Sequence, residues 1–98
     1  MVNDMSINIE DFIKICDKIN IIDIRSKQKY NDNHILNSKN IDKNDLLLNT
    51  NKYLNKSEKY YIYCQKGISS LKLCKILKNK GYNVYSLLGG YEEWILRK

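Results

Sequence analysis

Residues 60–70 read Tyr60-Tyr61-Ile62-Tyr63-Cys64-Gln65-Lys66-Gly67-Ile68-Ser69-Ser70. The first four are aromatic or β-branched, the composition of a buried strand, and the strand ends at Cys64. Gln65 to Ser69 then form a loop around a glycine. From about Ser70 the periodicity turns helical: Leu71, Leu73, Cys74, Ile76 and Leu77 line one side and Lys72, Lys75 and Lys78 the other. Gly81 supplies the stop. A strand passing through a short loop into a helix is the repeating unit of a parallel α/β sheet. Such sheets bind ligands beyond the carboxyl ends of their strands, and Cys64 holds that position.

Reading outward, the same alternation recurs. Upstream, Ile9, Phe12, Ile13 and Cys16 stand at helical spacing behind Asn8, a candidate N-cap. Ile21-Ile22-Asp23-Ile24 reads as a short buried strand, Ser26 to Tyr30 as a short helix, and residues 31–40 as loop with an extended piece near Asn40-Ile41. Asp42 is placed to cap a helix through Leu46, Leu47 and Leu48. Downstream, Val84-Tyr85-Ser86-Leu87 is a third strand, followed by Gly89-Gly90 and a closing helix through Trp94. The expected fold is α/β, a mostly parallel central sheet flanked by helices, in one domain spanning residues 1–98.

Composition removes several function classes. A chain of 98 residues with 43% apolar content supports one modest core and not two halves around an interdomain cleft. No stretch approaches the ~18 apolar residues of a membrane span. The segment MVNDMSINIEDF lacks the basic and apolar regions of a secretory leader, so a cytoplasmic location is expected. The net charge is +6, yet the lysines are dispersed and the arginines number two, Arg25 and Arg97; nucleic acid is not the expected partner. Cys16, Cys64 and Cys74 make no C-x-x-C pair and His34 is the sole histidine, which leaves no metal-site pattern.

The place of Cys64 has chemical consequences. The first amides of a helix lack internal partners, and its N-terminus carries about half a positive charge. An inward-curled loop adds donors, Gly67 permits the curl, and Lys66 adds a full charge nearby. A thiolate is favoured there. The position also suits a small buried thiol serving only as core, or a disulfide with Cys74. Cys16 and Cys74 fall on apolar helix stripes and read as packing.

Cys64-Gln65-Lys66-Gly67-Ile68-Ser69-Ser70 resembles the six-residue active-site loop of the rhodanese family of thiosulfate sulfurtransferases. The resemblance continues along the chain, and the length is similar to the short single-domain bacterial members. Ile22-Asp23-Ile24-Arg25 is similar to an early Asp-x-Arg signature. Tyr30, His34-Ile35 and Asn40-Ile41 are similar to a second, and Leu88-Gly89-Gly90 with Trp94 to a C-terminal Gly-Gly…Trp element. The chain departs from the pattern with Asn33 before the histidine, with Leu36-Asn37 in place of Pro-Gly, and with Lys29 where a glutamate often follows the arginine. The asparagines suit left-handed turns, whereas Lys29 removes a possible ion pair with Arg25.

The resemblance implies sulfur transfer. Cys64 takes sulfane sulfur from a donor such as thiosulfate as a persulfide, and a thiophilic acceptor (cyanide, a thiol or a protein) removes it, with no metal or organic cofactor. The backbone amides of Gln65 to Ser69 and the Ser69 and Ser70 hydroxyls would stabilise thiolate and persulfide. Lys66 favours the dianion thiosulfate over the monoanion mercaptopyruvate. Asp23 and Arg25 would brace the surrounding loops, and His34 would act as a structural hydrogen-bonder. The alternative is a relay or protein-interaction module that hands the persulfide to a partner. A phosphatase is excluded, because Ser70 stands where phosphate chemistry needs an arginine.

Overall fold

The computed structural model describes residues 5–97; residues 1–4 of the stretch read for a leader, and residue 98, lie outside it. In chain order the elements are β1 (Ser6–Ile7), α1 (Ile9–Ile15), β2 (Asn20–Asp23), α2 (Lys27–Asp32), β3 (Ser38–Asn40), α3 (Lys43–Leu48), α4 (Thr50–Tyr53), β4 (Lys59–Tyr63), α5 (Ile68–Asn79), β5 (Asn83–Leu87) and α6 (Gly90–Arg97). The strands form one parallel sheet in the order β1-β5-β4-β2-β3. The chain is a single small α/β domain, as its alternating pattern requires.

Strand periodicity sorts the core into two layers. Ile22, Tyr60, Ile62 and Val84 point to the face covered by Leu46, Leu54, Leu73, Cys74 and Leu77. Ile21, Tyr61, Tyr63 and Leu87 point to the opposite face, against Ile9 and Phe12 of α1 and Tyr91 of α6. Phe12 meets the rings of Tyr61 and Trp94 edge-on. By the same alternation Cys64, one residue beyond β4, faces the α5 side, and so does Ser86.

The strand order also fixes where a cleft opens. β2 leads outward to β3 through α2, and β4 leads outward to β5 through α5. The connections diverge between β2 and β4, so the crevice lies between Ile24-Arg25 and Cys64.

Several expected boundaries shift for local reasons. Helix α5 starts at Ile68, not Ser70, because Gly67 with φ +90° turns the chain two residues earlier. The extended piece expected near Asn40-Ile41 is β3, Ser38–Asn40, which begins two residues earlier. β1 and α4 are too short to leave a periodic signature. Asn8, Ser26 and Asp42 cap α1, α2 and α3 by accepting from the backbone N–H three residues on. Of the asparagines expected in left-handed turns, Asn37 is so (φ 74°) whereas Asn33 is extended (φ −171°). Ile76, expected on the buried stripe, is 42% exposed. Cys16 sits half-buried at the end of α1, and its thiol donates to the Ile13 carbonyl at 3.5 Å. Cys16, Cys64 and Cys74 are all free thiols, so Cys64 and Cys74 are not bridged.

Candidate active site

Cys64 is carried to the crevice by β4 and is 8% exposed. Its Sγ accepts from the backbone N–H of Gly67 at 3.1 Å and of Ser70 at 3.3 Å. A helix normally receives such a bond from the side chain of its N-cap residue. Here the N-cap is Gly67, which has no side chain, and the sulfur takes that place. The sulfur thereby meets the positive end of α5.

A hydroxyl pair completes the surroundings. The Cys64 thiol donates to Ser70 Oγ at 3.3 Å, and Ser70 Oγ lies 2.6 Å from Ser86 Oγ. Both serines are buried. Hydroxyls donate or accept by rotation. With a neutral thiol, Ser70 accepts from sulfur and donates to Ser86. With an anionic sulfur the order reverses, and Ser70 donates to sulfur.

The loop is held in shape from behind. Helix α6 starts against it, with Tyr91 N–H donating to the Cys64 carbonyl at 2.8 Å and Glu92 N–H to the Gln65 carbonyl at 3.0 Å. These are first-turn amides that would otherwise lack partners. The approach is possible because residue 90 is glycine: a Cβ there would lie 2.5 Å from the Cys64 carbonyl oxygen and 2.7 Å from Gly67 N.

Arg25, held from behind by Asp23, stands in the other wall. Asp23, fully buried, accepts from Arg25 Nη2 at 2.7 Å, from Nε at 3.0 Å and from the Arg25 backbone N–H at 2.8 Å. Arg25 Nη2 also donates to the Asn33 carbonyl at 2.6 Å, and the guanidinium sits 4.0 Å from the Tyr91 ring centre. Burial works against the arginine's charge, but its bonds to Asp23 and that carboxylate's charge outweigh it, so the pKa rises. Lys29 therefore deprives Arg25 of nothing, since Asp23 is the partner. Asn40 Nδ2 ties the carbonyls of Asp23 and Arg25 together.

Two clefts open over Cys64. One of about 240 Å³ is lined by Ile24, Arg25, Ser26, Lys29, Lys43, Cys64, Gln65 and Ser69. The other, about 390 Å³, is lined by Lys29, Cys64, Gln65, Lys66, Ile68 and Ser69. The expected residues Gln65, Lys66, Ile68 and Ser69 thus form the rim, while Gly67 and Ser70 touch the sulfur from within. Lys43 carries no expectation from the sequence, and Lys29 enters there only as the loss of an ion pair for Arg25, not as a residue of the site. Both closely follow the carboxyl end of a strand, β2 and β3, which is the signal that could have marked them. Among the described residues, no carboxylate lines either cleft and none pairs with Lys29, Lys43 or Lys66.

His34 is not brought to Cys64. Its Nδ1 bonds the Tyr30 carbonyl at 2.7 Å, and its ring stacks on Tyr30 at 3.8 Å. It borders a different cavity, with Cys16, Ile35 and Trp94. Cys74 is fully buried, and burial pushes its thiol up to about 12. Among the described residues no cluster could hold a metal ion, and no helix is long and apolar enough to cross a membrane.

Known proteins resemble this chain in sequence and in fold. Thiosulfate sulfurtransferase GlpE of Coxiella burnetii is 35% identical over 78 residues, covering 76% of this chain and 69% of that protein. The crystal structure of a rhodanese-related protein from Thermoplasma volcanium superposes with a TM-score of 0.85 at 28% identity, covering 94% and 91% of the two chains. The SSP1007 structure from Staphylococcus saprophyticus gives a TM-score of 0.82 at 30% identity, covering 90% of each. Residues 8–97 match the Rhodanese-like domain, and the chain belongs to that family.

Proposed function

We propose that this domain is a sulfurtransferase that carries sulfane sulfur on Cys64, with thiosulfate as a donor. The observation that supports this most is the sulfur itself, held by two backbone N–H groups and a hydroxyl that can turn its proton either way. These donors favour negative charge on sulfur, first as thiolate and then as persulfide. The Cys64 thiolate attacks the outer sulfur of thiosulfate. A new S–S bond forms, and the old one breaks with its electron pair leaving on sulfite. A nucleophilic acceptor, cyanide or a thiolate, then attacks the outer persulfide sulfur, and Cys64 departs as thiolate. No net oxidant or reductant is consumed, and the two half-reactions predict ping-pong kinetics.

Lys29, Lys43 and Lys66 line the approach and would draw in a dianion. Intact-protein mass spectrometry after thiosulfate treatment tests the reading. A gain of one sulfur atom mapped to Cys64, absent in Cys64→Ser and retained in Cys16→Ser, is expected. Full thiosulfate:cyanide turnover by Cys64→Ser would refute it.

A further inference from the structure

A third cleft, of about 300 Å³, runs from the Cys64 site between α3 and α5. Lys43 and Ser69 border both this groove and a cleft that contains Cys64, so the two adjoin. Leu47, Leu73 and Ile76 give it apolar walls, and Lys43 and Lys72 stand along it. Ile76 sits on the apolar stripe of α5 yet is 42% exposed. No carboxylate lines the groove, and none pairs with either lysine among the described residues. Small donors and acceptors have no need of this extension, since the clefts over Cys64 already admit them.

We infer that the α3–α5 groove seats the sulfur acceptor, and that this acceptor is a protein segment carrying a cysteine beside acidic and apolar side chains. The charge points one way: uncompensated lysines along an apolar trough complement carboxylates and reject cations. The inference rests on the persulfide chemistry proposed above. The acceptor's thiolate attacks the outer sulfur of the Cys64 persulfide, the S–S bond to Cys64 breaks, and Cys64 regains its electron pair. The acceptor's own electron pair makes the new S–S bond, and no further reactant is needed.

The probes are two synthetic cysteine peptides of equal length with one leucine, one flanked by aspartate and glutamate and the other by lysine. Dithiothreitol serves as the small neutral acceptor. Sulfur loss from isolated Cys64-persulfide protein is followed by mass spectrometry. The acidic peptide should be the faster acceptor, and added salt should narrow its advantage. Lys72→Glu with Ile76→Asp should lower kcat/KM for the acidic peptide by about 10-fold, since each exposed charge contact is worth roughly 2- to 5-fold and the apolar contact adds to it. Persulfide loading from thiosulfate and discharge to dithiothreitol should be unchanged, which also shows that the variant is folded. Equal rates for both peptides, or an unchanged acidic-peptide rate in the variant, would overturn the groove assignment. Failure of the parent to load sulfur would instead overturn the function on which it rests.

Discussion

Replacing Gly90 by alanine tests the close contact that shapes the cradle. Gly90 has φ +64°, and an added Cβ would lie 2.5 Å from the Cys64 carbonyl oxygen, 2.7 Å from that of Gln65 and 2.7 Å from Gly67 N. All three are backbone atoms with no rotamer to escape into. The shortest gap is about 1 Å below ordinary van der Waals contact, so α6 must back away from the loop. That movement breaks the bonds from Tyr91 N–H to Cys64 and from Glu92 N–H to Gln65. Two hydrogen bonds at about 1 kcal/mol each and a left-handed residue at about 1–2 kcal/mol give a loss of roughly 3–4 kcal/mol. Gly81 is the internal control. It has φ +97°, but its Cβ would meet only the Lys56 side chain, at 3.5 Å. Gly81→Ala should therefore lose only the conformational part, about 1–2 kcal/mol. Urea unfolding of the two variants reads the difference directly. Per folded molecule, thiosulfate:cyanide turnover should fall in Gly90→Ala and persist in Gly81→Ala. Equal destabilisation by the two substitutions would refute the backbone-contact account.

Two other outcomes follow from burial. Cys74 is pushed from about 9 to about 12, so above pH 9 the unfolded chain releases a proton that the folded chain keeps. Stability is therefore intact below that pH and declines as pH rises toward 12; between about pH 8 and pH 10 the parent should lose about 1 kcal/mol more than Cys74→Ala in urea unfolding. An identical pH dependence would contradict the burial of this thiol. Asp23→Asn strands the Arg25 guanidinium, whose side chain is 4% exposed, and should cost about 3–5 kcal/mol. Adding Arg25→Met should recover part of that loss, and a single variant within about 1 kcal/mol of the parent would show that the pair is dispensable.

What the sequence shows clearly is whatever repeats. The strand at Tyr60–Tyr63, the helix after it and the capping residues Asn8 and Asp42 each announce themselves by period or by position. Cys64 could be placed at the sheet's carboxyl edge before any coordinates, because strand-loop-helix order determines that edge. Gln65 to Ser70 follow from it by adjacency. Contacts between distant segments leave no such trace. Ser86, which bonds Ser70, reads only as the one polar residue in a strand. Lys29 reads as the loss of an ion pair for Arg25, whereas the structure pairs Arg25 with Asp23 and turns Lys29 to the mouth of the site. Ile76 fits the stripe of α5, but the stripe is wider than the sheet it covers, and its edge is left to line a groove. His34 lies near the site in the motif and apart from it in space.

The Ser70–Ser86 pair bears on how fast such a site can work. Under the persulfide chemistry proposed above, each change of charge on the Cys64 sulfur can be met by two O–H groups swinging about their C–O bonds. Motions of that size finish within nanoseconds, far ahead of any loop or domain movement. The domain is in this sense a stationary bench with two rotors. On the persulfide chemistry proposed above, recharging the sulfur asks for no opening or closing of the protein around it.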